Sequence, residues 1–179
     1  MSEIHATQLA GCFGVSCLVH DDNRGELRKP FERAWLDERG IDFNVHEVVW
    51  TISQKDVIRG LHFQLPPAAS DKFVWCAHGH VTDVVVDLRV DQPTYGTHVS
   101  FELGKSGIDA VFVPRGCAHG FASRVDGSLV SYLISTPFSP GLDAGIRWDS
   151  VDIDWGVEVP IISDRDQTLP SLRDLSSPF

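Results

Sequence analysis

Residues 72–90, KFVWCAHGHVTDVVVDLRV, contain two short runs of valine and aromatic residues on either side of a glycine. We interpret these runs as the strands Lys72–Ala77 and Thr82–Val90, joined by a hairpin turn around Gly79. Similar runs recur along the chain between clusters of Gly, Pro, Asp and Ser: Phe43–Thr51, Val57–Gln64, His98–Leu103, Ala110–Val113 and Leu129–Ser135. Many short strands at this spacing predict an all-β sandwich or barrel, and they argue against a parallel sheet with helical crossovers.

One short helix is predicted in the N-terminal part of the chain, between Pro30 and Gly40. Proline suits a first helical turn and glycine suits a C-terminal stop. Phe31, Ala34 and Trp35 then fall on one apolar face. After residue 140 the strand pattern ends, and we expect helical or loop segments that contain Trp and Asp. Because no repeat and no long linker divides the chain, we expect one domain over residues 1–179.

The composition narrows the possible function classes. The chain has 179 residues, with 15 Lys and Arg against 25 Asp and Glu, so its formal net charge is −10 with histidine neutral. This acidic balance argues against binding to nucleic acid or to a membrane surface, which require a basic stripe, but a few arginines can still hold a small anion. The four cysteines form no Cys-x-x-Cys pair, and no apolar run reaches the roughly 20 residues of a membrane span. We therefore expect reduced thiols and a cytoplasmic protein.

Alternation along the strands predicts polar side chains inside the barrel. Gly60, His62 and Gln64 share one face of their strand, which indicates a lined cavity in a barrel-like fold. Lys72 falls on an otherwise apolar face, so it either points into that cavity or reaches solvent as a strand-end residue. Tyr132 also falls on an apolar face, a position that is more often core than catalytic.

A metal site is not predicted. The segment Pro114-Arg-Gly-Cys-Ala-His119-Gly-Phe has the form of half of the second cupin motif, in which the histidine projects into the barrel. The first cupin motif requires His-x-His followed by a glutamate as metal ligands. His78-Gly-His80 is the one His-x-His of this sequence, but it lies in the predicted hairpin turn, and valine stands where the glutamate is needed. The spacing therefore favours two surface histidines.

Several segments, taken in order, closely resemble the dTDP-4-dehydrorhamnose 3,5-epimerase family: Asp22-Asn-Arg24-Gly25, Arg59-Gly-Leu-His62-Phe-Gln64, Thr82-Asp-Val-Val-Val-Asp-Leu-Arg89, Gln92-Pro-Thr-Tyr-Gly96, Pro114 to Phe121, and Ser163-Asp-Arg-Asp166. The resemblance runs from about Asp21 to Asp174. It implies a cupin jelly-roll barrel (a double-stranded β-helix), a homodimer, and no metal or redox cofactor. It also implies an isomerase that inverts C3, C5 or both of a nucleotide-linked 4-keto-6-deoxy sugar, with dTDP as the first choice of nucleotide, in deoxysugar biosynthesis.

The resemblance assigns the reacting groups. His62 matches the base that takes a proton next to the ketone, and Asp166 matches the carboxylate behind it, with Asp164 as the alternative in the same motif. Lys72 matches the cation that stabilises the enolate oxygen, and Tyr132 matches the proton donor. These residue types suit the chemistry, since a neutral imidazole accepts a proton near pH 7 and a carboxylate fixes its tautomer.

Further matches concern the substrate. Arg59 matches a diphosphate-binding residue, and Arg24 resembles a nucleotide contact that is supplied across the dimer. His119 and Asp83 match polar positions that line the cavity, and we predict that these two side chains pair with each other. Gln64 is also a predicted substrate contact.

Four positions depart from the family pattern. Phe138 stands where the family often has a second tyrosine, so C3, C5 or double inversion remains open. Glu47 begins the segment Glu47-Val-Val-Trp-Thr51 in place of Gln-x-Asn-x-Ser, and Asp143 replaces a glutamate. Glu26 begins a segment that lacks the aromatic residue expected to stack on the base. Glu47, Phe138 and Asp143 are still predicted to contact the substrate.

Three alternatives remain open from the sequence. A 3,4-ketoisomerase on the same barrel would move the carbonyl instead of inverting a carbon. A metal-dependent cupin oxygenase and a sugar-nucleotide-binding protein without catalysis are the other two. Four candidate catalytic residues argue against the last of these, since binding alone requires no such set: His62, Lys72, Tyr132 and Asp166.

Overall fold

Two large antiparallel sheets and one hairpin form nearly all of the regular structure in the computed structural model, which describes residues 2–105 and 107–179. The first sheet has the strand order β1 (Glu3–Ala6), β2 (Phe13–Ser16), β10 (Ala110–Val113), β7 (Lys72–His78), β12 (Ser128–Ile134) and β5 (Glu47–Ser53). The second has the order β13 (Asp143–Gly145), β6 (Ile58–Gln64), β11 (Cys117–Ser123), β8 (Val81–Asp87) and β9 (His98–Leu103). The separate hairpin consists of β3 (Val19–Asp22) and β4 (Gly25–Arg28). Residues 1 and 106, the latter inside the predicted turn 104–107, lie outside the described part.

The predicted all-β jelly roll is confirmed, and most of its predicted strands are present within a few residues. The prediction for Phe43–Thr51 started too early, because Phe43 is a core residue of the preceding loop and the strand begins at Glu47. The strand predicted over Thr82–Val90 ends at Asp87, where the chain turns. The prediction missed the N-terminal strands β1 to β4, which have only four residues each and little apolar alternation.

The N-terminal helix is shorter than predicted, and its buried residue is a different one. Helix α1 (Arg33–Asp37) has five residues, little more than one turn. Leu36 is its fully buried side chain and packs with Phe43, whereas Ala34 is exposed. A periodicity of 3.6 residues has little meaning over one turn, so the neighbouring core decides which side chain is buried. Helix α2 (Asp164–Gln167) and a 3₁₀ helix (Leu172–Asp174) complete the helical segments, and no helix among the described residues is long and apolar enough to span a membrane.

Strand β8 explains how the two sheets and the C-terminal segment fit together. Every residue of β8 is buried. Val85 belongs to the core between the sheets, where it packs in one cluster with residues of β7, β10 and β12. Val84 and Val86 face the other way, into a cluster that includes Trp155 of the C-terminal segment. Because both faces of β8 are covered, three consecutive valines (residues 84–86) form its centre, and its Thr and Asp residues are buried as well.

An ion pair between Asp87 and Arg89 closes the end of β8. Arg89 Nε donates to Asp87 Oδ1 at 2.8 Å, and Thr94 Oγ1 donates to the other carboxylate oxygen at 2.7 Å. Burial alone raises the pKa of Asp87, but these hydrogen bonds outweigh it and hold the pKa below its usual range. The pair therefore acts as a structural contact away from the cavity.

Candidate active site

A cavity of about 600 Å³ opens between the two sheets, and six of the predicted site residues line it. They come from five strands or helices: Arg59 and His62 from β6, Lys72 from β7, His119 from β11, Tyr132 from β12 and Asp166 from α2. Apolar side chains, among them Val49, Val57, Ile161 and Ile162, complete the lining. The barrel thus concentrates polar groups from distant parts of the chain in one apolar-walled space, which is the usual form of a small-molecule site.

His62 and Asp166 form a hydrogen-bonded pair at the cavity wall. His62 Nε2 lies 2.7 Å from Asp166 Oδ1, and Asp166 Oδ2 accepts the Gly60 N–H at 3.2 Å. Burial raises the pKa of Asp166, but the hydrogen bonds from His62 and Gly60 and the nearby Arg165 charge outweigh burial and lower it. The aspartate is therefore ionised and can only accept, so His62 Nε2 carries the hydrogen. This leaves Nδ1 as the imidazole nitrogen that can take a proton.

The short helix α2 presents Asp166 to the imidazole. Ser163 caps this helix, since its Oγ accepts the Asp166 backbone N–H at 3.1 Å. An isolated bridge between Val57 and Ile161 ties the preceding segment to the start of β6. Asp164, the other aspartate of the motif, is exposed, so Asp166 is the residue that reaches His62.

His119 and Asp83 pair with each other, as predicted. His119 Nε2 lies 2.7 Å from Asp83 Oδ2, and Asp83 is fully buried. His119 stands directly opposite His62 in the register of β11 and β6, so the two imidazoles lie on the same sheet face. The Tyr132 ring packs edge-on against the His119 ring with centroids 5.9 Å apart. The second histidine–aspartate pair therefore lies between the strand of His62 and the phenol of Tyr132.

Lys72 lies in the cavity. Alternation along the strand allowed either this position or a solvent-exposed one at the strand end. Its Nζ donates to the His62 carbonyl oxygen at 3.2 Å. Burial lowers the pKa of Lys72 to about 8, although the charges of Asp143 and Asp83 oppose the shift. Burial also raises the pKa of Tyr132. Near neutral pH the cavity thus holds a lysine that is mostly cationic and a phenol that keeps its proton.

The two predicted anion-binding arginines differ in position. Arg59 lines the cavity, and its guanidinium is fixed by donation from Nε to Ser53 Oγ at 3.0 Å. Arg24 lies on the exposed hairpin of β3 and β4, pairs with Asp22, and is not part of the cavity wall of its own chain. Of these two arginines, Arg59 is therefore the one that its own chain places in the cavity wall.

A second cavity of about 230 Å³ adjoins the first and shares His62 and Lys72 with it. Glu47, Gln64 and Phe138, which are predicted substrate contacts, line this smaller space. Gln64 Oε1 accepts the Ser139 N–H at 2.7 Å, and a Glu47 carboxylate oxygen accepts the Phe138 N–H at 2.9 Å. These two side chains thus hold the loop that carries Phe138, a role that the sequence did not indicate.

Asp143 and Arg165 form an ion pair between the two cavities. Arg165 Nη2 lies 2.7 Å from Asp143 Oδ2, and its Nη1 lies 3.7 Å from Asp166 Oδ1. Asp143 is a predicted substrate contact, whereas Arg165 has no predicted role. Arg165 lies within the Ser163-Asp-Arg-Asp166 motif, and this position is the signal that the sequence offers for it. Its contacts with both carboxylates become visible only in the fold.

The histidines of the His-x-His segment lie away from the cavity. His80 contacts Glu102 of β9, and His78 is exposed. Among residues 2–105 and 107–179, no group of three or more His, Cys, Asp or Glu side chains is arranged to hold a metal ion.

Comparison with known proteins gives a consistent family match. A family model described as dTDP-4-dehydrorhamnose 3,5-epimerase matches residues 6–174. The dTDP-4-dehydrorhamnose 3,5-epimerase of Sinorhizobium fredii is 36% identical over 162 residues, which are 88% of this chain and 83% of that protein.

Solved structures of related proteins have the same fold. A 4-keto-6-deoxy sugar epimerase from the novobiocin gene cluster of Streptomyces spheroides superimposes with a TM-score of 0.92 at 29% identity, covering 97% of this chain and 89% of that one. A 3'-monoepimerase from Streptomyces bikiniensis, in complex with dTDP-quinovose, gives a TM-score of 0.87 at 28% identity, covering 94% and 87%.

Substitution of Gly60 tests the backbone that holds the His62–Asp166 pair. A Cβ at Gly60 would lie 2.6 Å from Gly120 Cα and 3.0 Å from the His119 oxygen, and φ is +131°. We expect Gly60→Ala to destabilise the fold by about 3 kcal/mol through crowding and strain. Gly25→Ala is the matched control, since Gly25 has φ of +118° with no atom within 4 Å. Urea unfolding measures both, and equal losses would contradict the close approach of β6 and β11.

Proposed function

The chain belongs to the dTDP-4-dehydrorhamnose 3,5-epimerase family, and we propose that the cavity between its sheets carries out the epimerisation. The enzyme is an isomerase that acts on a nucleotide-linked 4-keto-6-deoxy sugar in deoxysugar biosynthesis. The mechanism rests on one observation: the two proton-transfer groups come from different sheets. His62 projects from β6 of one sheet and Tyr132 from β12 of the other, and both line one cavity. A sugar ring held between the sheets has the base on one face and the acid on the other, which inversion requires.

The proposed reaction moves one proton off a carbon and another onto it. His62 Nδ1 takes the proton from a carbon beside the C4 ketone, and the electron pair of that bond forms the enolate. Tyr132 then protonates the same carbon from the opposite face, and the ketone forms again. The cycle leaves an imidazolium and a phenolate. The imidazolium then releases its proton to solvent and the phenolate takes one from solvent, which the raised pKa of Tyr132 favours. Protons and electrons balance over the cycle.

The other polar groups stabilise charges that develop during this cycle. Asp166 stabilises the imidazolium through the 2.7 Å contact with His62. The Lys72 ammonium is the cation in the cavity that suits the enolate oxygen. Arg59, braced by Ser53, suits a diphosphate oxygen because its guanidinium is planar and fixed in orientation. Complexes of related epimerases with dTDP-sugars support dTDP as the nucleotide.

We propose that inversion is limited to one carbon. The sequence contains two tyrosines, and Tyr132 is the one that lines the cavity, while Tyr95 lies in the turn after β8. The position that could hold a second phenol has Phe138, which cannot donate a proton. One donor at one place in the cavity favours proton return to a single carbon. The existence of 3-epimerases among the relatives supports this proposal.

We also propose that the enzyme is a cytoplasmic homodimer that pairs through the exposed edge of the first sheet. Strand β5 is the last strand of that sheet, and its outward residues Val48, Trp50 and Ile52 are each at least 60% exposed. Such an apolar edge strand is suited to a second copy of the chain. The exposed hairpin of β3 and β4, with Leu27 and Arg24, can then reach a neighbouring subunit. This arrangement supplies Arg24 to the site from outside its own chain.

The exchange of substrate hydrogen with solvent tests the function. In D2O the enzyme should introduce deuterium at one carbon beside the ketone of a dTDP-4-keto-6-deoxy sugar, as NMR can follow. We expect His62→Ala to reduce this exchange by about 10³-fold, since general-base catalysis contributes roughly 10²–10⁴-fold. His78→Ala, at the exposed histidine that ends β7, is the control and should exchange normally. Normal exchange in His62→Ala would contradict the base assignment. Inverted configuration at both carbons would contradict single inversion, and a moved carbonyl would indicate a ketoisomerase.

The oligomeric state tests the proposed pairing surface. We expect Trp50→Glu to convert a dimer to a monomer in sedimentation analysis, because it places a charge in the apolar centre of the contact. Val159→Glu is the matched control, since Val159 is 81% exposed and lies on the C-terminal segment. A Trp50→Glu variant that remains dimeric would contradict the use of β5 as the interface.

A further inference from the structure

Arg165 contacts the carboxylate of the proposed catalytic pair at the oxygen that also contacts His62. Its Nη1 lies 3.7 Å from Asp166 Oδ1, the same oxygen that His62 Nε2 contacts at 2.7 Å. Its Nη2 lies 2.7 Å from Asp143 Oδ2. The guanidinium thus bridges two carboxylates, one of which belongs to the base machinery. It also lines both cavities.

We propose that Arg165, paired with Asp143, is a positioning residue that limits how strongly Asp166 stabilises the protonated form of His62. This inference rests on the proposed role of His62 as the base. A carboxylate behind an imidazole favours the imidazolium, and a base that stays protonated cannot accept the substrate proton. A guanidinium on the same oxygen opposes the imidazolium by charge repulsion and so favours the neutral imidazole that the reaction requires.

Asp143 determines how strongly the Arg165 charge opposes the imidazolium form of His62. Its carboxylate lies 2.7 Å from the guanidinium and neutralises part of the charge that stands 3.7 Å from Asp166. The basicity of His62 therefore depends on three charges in a row: Asp166, Arg165 and Asp143. Arg165 is 43% exposed, so water screens the interaction and the expected effects are moderate.

Other titratable groups face His62 from the elements around it, and the proposed variants leave them unchanged: Arg59 on β6, Lys72 on β7, Asp83 on β8, His119 on β11 and Tyr132 on β12. Lys72 also contacts His62, but its Nζ donates to the His62 carbonyl oxygen and not to Asp166. Asp83 is occupied by His119. Arg165 is thus the cation that acts on His62 through the Asp166 carboxylate.

The test is an NMR titration of the His62 imidazole, which needs no turnover. We expect Arg165→Gln to raise the titration midpoint by about 0.5 to 1 pH unit, because the opposing charge is gone. Asp143→Asn should lower the midpoint, because the Arg165 charge is then uncompensated. The double variant should return close to the wild-type value, and Arg165→Lys, which keeps the charge, should also stay close to it.

Arg147→Gln is the matched control. Arg147 also pairs with an aspartate, Asp149, and has the same 43% exposure, but it does not contact Asp166. An unchanged His62 midpoint in Arg165→Gln, or shifts of the same sign in Arg165→Gln and Asp143→Asn, would overturn the proposal. The acid limb of kcat/KM against pH should move with the NMR midpoint. NMR shifts without any wild-type turnover would instead point to failure of the proposed function.

Discussion

The hydrogen bond between His62 and Asp166 joins residues 104 positions apart and depends on much of the fold around it. Asp166 is held at the cavity because Ser163 caps α2 and because Gly60 donates to the second carboxylate oxygen. Gly60 can do this because β6 and β11 approach so closely that only glycine fits there. The C-terminal segment also covers the outer face of β8, so the same stretch of chain completes the core and delivers the carboxylate.

Burial of polar groups inside a barrel costs folding free energy. In this cavity the charged groups are paired through hydrogen bonds. A buried carboxylate without a partner would destabilise the fold by several kcal/mol. Asp166 is paired with His62 and Asp83 with His119, each at 2.7 Å, and Lys72 bonds a backbone carbonyl. Asp83 Oδ1 and Thr51 Oγ1 are the exceptions, since both are buried and have no partner among the described residues. The barrel thus carries its reactive groups as an ordered network, which fixes their geometry before any substrate binds.

The sequence predicted the barrel well because valine runs such as that of β8 have one physical explanation, burial on both faces. It failed for β1 to β4, where four polar or mixed residues give no periodic signal. Alternation could not decide whether Lys72 reaches solvent or the cavity, since a strand-end lysine can do either. The partners of Glu47 and Gln64 were not predictable, because they are backbone N–H groups of the 138–139 loop and depend on its path. Arg165 was missed for a similar reason, as its contact with Asp143 spans two separate segments.

The central claim is that the base and the acid act from opposite sheets, and Tyr132→Phe tests it most directly. The measurement follows deuterium incorporation and configuration at the same carbon of a dTDP-4-keto-6-deoxy sugar in D2O. The account predicts that Tyr132→Phe still exchanges hydrogen, because His62 can remove and return a proton on its own face, but that the carbon keeps its configuration. Inversion at an undiminished rate in Tyr132→Phe would contradict the account, since no proton donor would then be required from β12.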